Sequence, residues 1–138
     1  MKTKNAVLTA ISVLFLVFLA ACGGSARNDT LNGTAWTLTS INNTPPLGKT
    51  ALTVEFTDGQ IGGSSGCNSY GGSYKIKGEK FTTDSIAMTL MACADSGVME
   101  QEQAFLGYLQ NAQTFKLSGE QLQIFRSDGK ALTFVPKG

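Results

Sequence analysis

Few side chains in this chain of 138 residues can do covalent chemistry: three cysteines, Cys22, Cys67 and Cys93, with no histidine beside them. Without imidazole there is no Ser-His-Asp or Cys-His nucleophile, no histidine-bound zinc and no imidazole pH switch. Cys67 stands in Gly66-Cys67-Asn68, which on one reading makes its thiol a nucleophile and Asn68 the group that orients an oxyanion. A reactive thiol needs a base or an electropositive setting, and no lysine follows it before Lys75. The competing reading turns Asn68 back on the backbone, uses the glycines for close approach and bonds Cys67 to Cys93. Two sulfurs without histidine fall short of four metal ligands, so neither metal nor cofactor is expected. The carboxylates add little. Glu100 and Glu102 are two apart on a predicted helix, do not face each other and read as solvated. Asp58 and Asp128 read as turn residues, because no run of alternating acidic ligands for calcium surrounds them.

Cys22 belongs to a different context. Lys2 and Lys4 precede an apolar run from Ala6 to Ala20, and small residues follow in Leu19-Ala20-Ala21-Cys22-Gly23-Gly24. This stretch resembles the lipobox of bacterial lipoproteins. The resemblance implies removal of residues 1–21, diacylation of Cys22 and attachment to a membrane, with residues 22–30 as a lipidated tether. The alternative is a plain membrane anchor, since residues 5–26 carry no charge. With one cysteine taken by lipid, Cys67 and Cys93 remain. An exported pair is most simply a disulfide, and two reactive thiols are the alternative. Net charge is +1 and only 15% of residues are charged, which argues against nucleic acid as a partner. Loss of the two leader lysines leaves nine basic against ten acidic residues.

The rest reads as strands divided by glycine turns. Trp36 to Ile41 and Leu52 to Phe56 alternate apolar and polar, and Asp58-Gly59 marks a hairpin to a strand from Gln60. Tyr70 to Ile76 and Phe81 to Thr83 pair about Lys77-Gly78-Glu79; Phe115 to Leu117, Leu122 to Phe125 and Ala131 to Val135 follow. One segment has helical spacing, with Val98, Phe105, Leu109 and Ala112 on one side and Asp95-Ser96 as N-cap candidates. About eight strands and one helix predict a mainly β fold: a single antiparallel sheet, strongly curled or closed as a barrel. Trp36, Phe56, Phe125 and Phe134 are the expected interior. Met88-Thr89-Leu90-Met91 either lines an apolar slot or, more simply, fills the core beneath the cysteines.

Trp36-x-Leu38, Phe56-Thr57-Asp58-Gly59, Gly66-Cys67-Asn68-Ser69-Tyr70-Gly71-Gly72-Ser73-Tyr74, Ile86 to Cys93, Glu102-x-x-Phe105-Leu106-x-x-Leu109 and Leu122 to Phe134 together resemble the META (HslJ-like) domain family. The match runs over residues 31–136. Leu90 departs from it, standing where many members carry a basic residue. The resemblance implies a cracked β-barrel similar to the pilot lipoproteins of secretins. It also implies a role tied to stress and the cell envelope, without established enzymatic activity. It marks Trp36, Gly66, Asn68, Tyr74, Thr89 and Met91 as motif positions, structural or binding. The expectation is an exported, membrane-anchored monomer that binds an envelope protein or an apolar ligand and is not an enzyme. A thiol enzyme using Cys67 and Cys93 and a purely structural envelope protein are the alternatives.

Overall fold

The computed structural model describes residues 29–138; the expected leader, Cys22 and the expected tether up to residue 28 lie outside the described residues. Alternating side chains and glycine turns produce eight strands: β1 Thr34–Ile41, β2 Thr53–Thr57, β3 Gln60–Ser64, β4 Ser69–Lys77, β5 Lys80–Met88, β6 Ala112–Ser118, β7 Gln121–Arg126 and β8 Ala131–Pro136. Each pairs antiparallel with its chain neighbour, and β1 pairs with β8 through Trp36↔Pro136 and Leu38↔Phe134. The expected sheet is therefore a closed barrel, and closure removes both edges. Asp58 and Gly59 both take positive φ, 49° and 79°, in the tight turn that joins Thr57 to its partner Gln60.

Strand β5 is longer than its sequence signal. Phe81 to Thr83 is only the start of β5, which continues to Met88 beyond a register shift against Gly71 and Ser73, with Ser85 at φ 56°. That irregularity breaks the alternation and hides the second half of the strand.

Helix α1, Val98–Gln110, lies between β5 and β6. Its N-cap is Gly97, left-handed at φ 80° and without a side-chain cap, so neither Asp95 nor Ser96 caps it. Nor is Ala112 helical: the helix stops at Gln110, Asn111 bonds back to Gly107, and Ala112 opens β6. Phe105 and Leu109 are fully buried, and the Phe105 ring meets Tyr70 at 5.5 Å and Phe134 at 6.5 Å.

Aromatic rings fill the interior. Phe56 packs on Tyr74 at 4.9 Å and on Phe81 at 6.1 Å, and Trp36, Phe115 and Phe134 complete the packing. Phe125 is only half-buried, because Leu122 and Ile124 take the inward positions of β7. The polar tips inside are satisfied: Tyr70 Oη donates to Thr53 O at 2.8 Å and Trp36 Nε1 to Thr34 Oγ1 at 2.7 Å. Tyr74 Oη donates to Asp29 Oδ2 at 2.6 Å, which fastens the first described residue to the barrel. Burial, reinforced by Asp29, pushes the Tyr74 phenol upward, so it stays a donor.

Candidate functional site

Two loops meet at the start of α1. The β3–β4 loop, residues 65–68, carries Cys67 and Asn68; the β5–α1 loop, residues 89–97, carries Leu90, Met91 and Cys93. Cys67 and Cys93 form a disulfide with their Cα atoms 5.9 Å apart. This is the pairing expected of an exported couple, and it leaves no free thiol among the described residues.

Glu102 is the centre of the arrangement, and it is not solvated. Only 1% exposed, it points from the first turns of α1 into the space between the two loops. Its Oε1 accepts from Ser65 Oγ at 2.6 Å, Cys67 N at 3.0 Å and Asn68 N at 2.6 Å. Its Oε2 accepts from Asn68 Nδ2 at 2.8 Å and lies 3.5 Å from Cys93 Sγ. Burial alone would raise its pKa. The donors from Ser65, from the Asn68 backbone and side chain, and from Cys67 outweigh burial and hold the carboxyl below its ordinary value. Glu102 is thus a buried anion matched by oriented dipoles, with no cation bonded to it among the described residues.

Asn68 links this carboxylate to the surface. Besides its bond to Glu102, Nδ2 donates to Met91 O at 3.3 Å. Oδ1 accepts from Met91 N at 2.7 Å and Thr89 Oγ1 at 2.9 Å. Both amide hydrogens and both oxygen lone pairs are engaged, so Asn68 holds nothing in reserve for an oxyanion. The side chain neither turns back on its own strand nor serves a substrate. It imitates a strand edge for Met91 across the gap.

The loop so held is exposed. Leu90 is 90% accessible, Met91 58% and Met99, the second residue of α1, 46%. The core reading of Met88 to Met91 therefore holds for Met88 alone, which packs half-buried on the interior. Met88, Leu90, Met91 and Met99 border a groove of about 250 Å³ whose floor includes Asn68 and Glu102. The motif positions divide accordingly. Trp36 and Tyr74 are interior, while Asn68, Thr89 and Met91 form one hydrogen-bonded unit. Gly66, at φ 116°, lets the loop pass Leu52 and Val98. Sequence reasoning missed Glu102 as the hub. Its only signal was its place as the opening residue of the Glu102-x-x-Phe105-Leu106 motif, on a helix one side of which is apolar.

At the opposite end of the barrel a wider groove of about 890 Å³ is bordered by Lys75, Lys77 and Lys80 with Asp29 and Asp58. It mixes both signs of charge, and Asp29 is committed to Tyr74 and to the backbone of Leu31 and Asn32.

The sequence matches the family model of the META domain over residues 29–138. No curated protein matches it. Among solved structures, one determined by NMR is 27% identical, with a TM-score of 0.65 over 78% of this chain and 92% of its own. A second NMR structure, of a protein from Burkholderia xenovorans, is 26% identical, with a TM-score of 0.64 over 78% and 84%. A DUF4847-family protein from Bacteroides vulgatus shares the fold, at 15% identity and a TM-score of 0.54 over 76% and 93%.

Proposed function

The chain belongs to the META-domain family, and from that premise we propose that it is a non-enzymatic binding module. In this reading Cys22 anchors it to a membrane outside the cytoplasm, where it serves the stressed envelope by engaging a partner protein. The observation that carries the reading is the exposed pair Leu90 and Met91 on a loop whose backbone is held from both sides by Asn68. Large apolar side chains are ordinarily exposed singly or on loose loops; a rigidly positioned group of them marks a contact surface. Preorganisation lowers the ordering cost of binding. Anchoring at Cys22 would raise the effective concentration for partners on the same membrane.

The polar groups support binding over catalysis. Glu102 and Asn68 are engaged with groups of the protein itself, and the cysteine pair is closed. A protein partner is favoured over an acyl chain in the barrel, because rings of Phe56, Phe81, Phe105 and Phe134 occupy the interior. A photo-crosslinking residue at position 90 in the exported full chain tests the reading. It should trap one discrete species, absent when the crosslinker is moved to the exposed Glu120 and absent when Met91→Glu accompanies it. Equal trapping at both positions would overturn the contact surface.

A further inference from the structure

Cys67 Sγ, Cys93 Sγ and a Glu102 carboxylate oxygen lie within 4.8 Å of one another. The sequence offers two sulfurs and no histidine, short of a metal site; the fold adds a third ligand from 35 residues beyond Cys67. In the disulfide form Oε2 of Glu102 sits 3.5 Å from a sulfur that has no hydrogen to give. Two electron-rich atoms face each other without a bond. We propose that reduction of the Cys67–Cys93 bond creates a site for one Zn²⁺, held by the two thiolates and Glu102 Oε2 with water as fourth ligand.

The geometry fits a tetrahedral zinc. With Zn–S about 2.3 Å and Zn–O about 2.0–2.2 Å, the S···O edge of a tetrahedron is about 3.6 Å, close to the separation already present at Cys93. The two sulfurs must part to about 3.8 Å. Cα atoms 5.9 Å apart allow that through side-chain rotation alone. The surrounding shell is in place: Ser65 Oγ and the Cys67 and Asn68 N–H groups fix Oε1 and aim Oε2, as outer partners of metal-binding carboxylates do. A groove of about 190 Å³ opens onto both cysteines between Lys49 and Asp95, giving a path for the ion and room for water. The chemistry balances. A dithiol takes the place of the bond, becoming a disulfide while Cys67 and Cys93 become thiols; Zn²⁺ binding then releases their two protons. The ion would keep the two loops joined when the covalent link is lost.

The test uses the full chain, reduced with a phosphine, stripped with a chelator and titrated anaerobically with Cd²⁺ and then Zn²⁺. One equivalent of Cd²⁺ should give a thiolate-to-metal charge-transfer band that the oxidised protein lacks, and Zn²⁺ in large excess should compete for the same site. Glu102→Gln should weaken Cd²⁺ binding on the order of 100-fold. X-ray absorption of the zinc-loaded wild-type chain, which needs no variant to fold, should show two sulfurs and two lighter ligands. Reduced protein that binds neither ion better than oxidised protein would overturn the proposal. So would unchanged affinity in Glu102→Gln, or a shell without sulfur.

Discussion

Asn68 and Glu102 are joined at both ends: the Asn68 backbone N–H donates to Oε1 at 2.6 Å and its side-chain Nδ2 to Oε2 at 2.8 Å. The pair works as a clasp between α1 and the β3–β4 loop. Through the amide oxygen of Asn68 it reaches on to Met91.

Replacing the carboxylate should therefore cost more than one hydrogen bond. In Glu102→Gln the new amide cannot accept at both ends, so either Asn68 Nδ2 or the donors of Ser65, Cys67 and Asn68 face an N–H₂ group. A buried donor left unmatched costs about 1–3 kcal/mol, and the charge that strengthened the others is gone. Urea unfolding should show a loss of about 2–4 kcal/mol. A loss below about 1 kcal/mol would mean the loops hold themselves.

The same carboxylate sets the direction of the acid response. Held below the ordinary glutamate value of 4.5, Glu102 stays ionised in the fold at pH values where the unfolded chain takes up a proton. Its contribution is complete above pH 4.5, declines as pH falls through that value and is lost once pH passes below the folded one. Urea midpoints measured from pH 7 to pH 3 should fall on the acid side, and Glu102→Gln should flatten that limb.

How much of this was legible in the chain depends on which forces act locally. Period-two alternation and the Asp58-Gly59 turn wrote the strands and their first hairpin plainly, because both depend on neighbours in sequence. Residue spacing left open whether the sheet closes, and it could not place Glu102. An isolated glutamate on a helix reads as solvated, and only the arrival of Ser65, Cys67 and Asn68, 34 to 37 residues away, gives it a buried role. Met91 failed in the opposite sense. Hydrophobicity alone sends it inward, whereas hydrogen bonds from Asn68 to its backbone leave its side chain outside.

Glycines with the same sign of φ should respond very differently to alanine. At Gly63 a Cβ would stand 2.3 Å from the carbonyl oxygen of Thr53, a backbone atom that cannot move aside without breaking the barrel ladder. At Gly119, φ 59°, nothing lies within 4 Å and only backbone strain is added. Gly119→Ala should lose about 1 kcal/mol. Gly63→Ala should lose more than about 3 kcal/mol or fail to accumulate as folded protein. Equal thermal midpoints for the two would contradict the close approach.

The disulfide closes a separation of 26 residues. A loop of this length restricts the unfolded chain enough to contribute about 3 kcal/mol. The Cys67→Ser, Cys93→Ser double variant should unfold at correspondingly lower urea, yet keep the barrel's circular dichroism. Glu102 and Asn68 still tie the loops after the sulfur link is gone.

Leu90 separates contact from stability more sharply than any other position. Its side chain is 90% exposed and packs on nothing that folding requires, while the loop beneath it is fixed by Asn68 through Met91. Leu90→Ser should change unfolding free energy by less than about 0.5 kcal/mol, as surface substitutions do. With the partner resting on the Leu90–Met91 loop, the same change should weaken capture there about tenfold or more, the effect of removing one apolar anchor from a desolvated contact. Asn68→Ala should weaken capture as well, but through a loosened loop: it should also destabilise the fold and raise amide exchange at Met91. Hydrogen exchange at that amide distinguishes the two routes. Unchanged exchange in Leu90→Ser together with lost capture assigns the contact to the side chain itself. Raised exchange there would instead make Leu90 a part of what holds the loop.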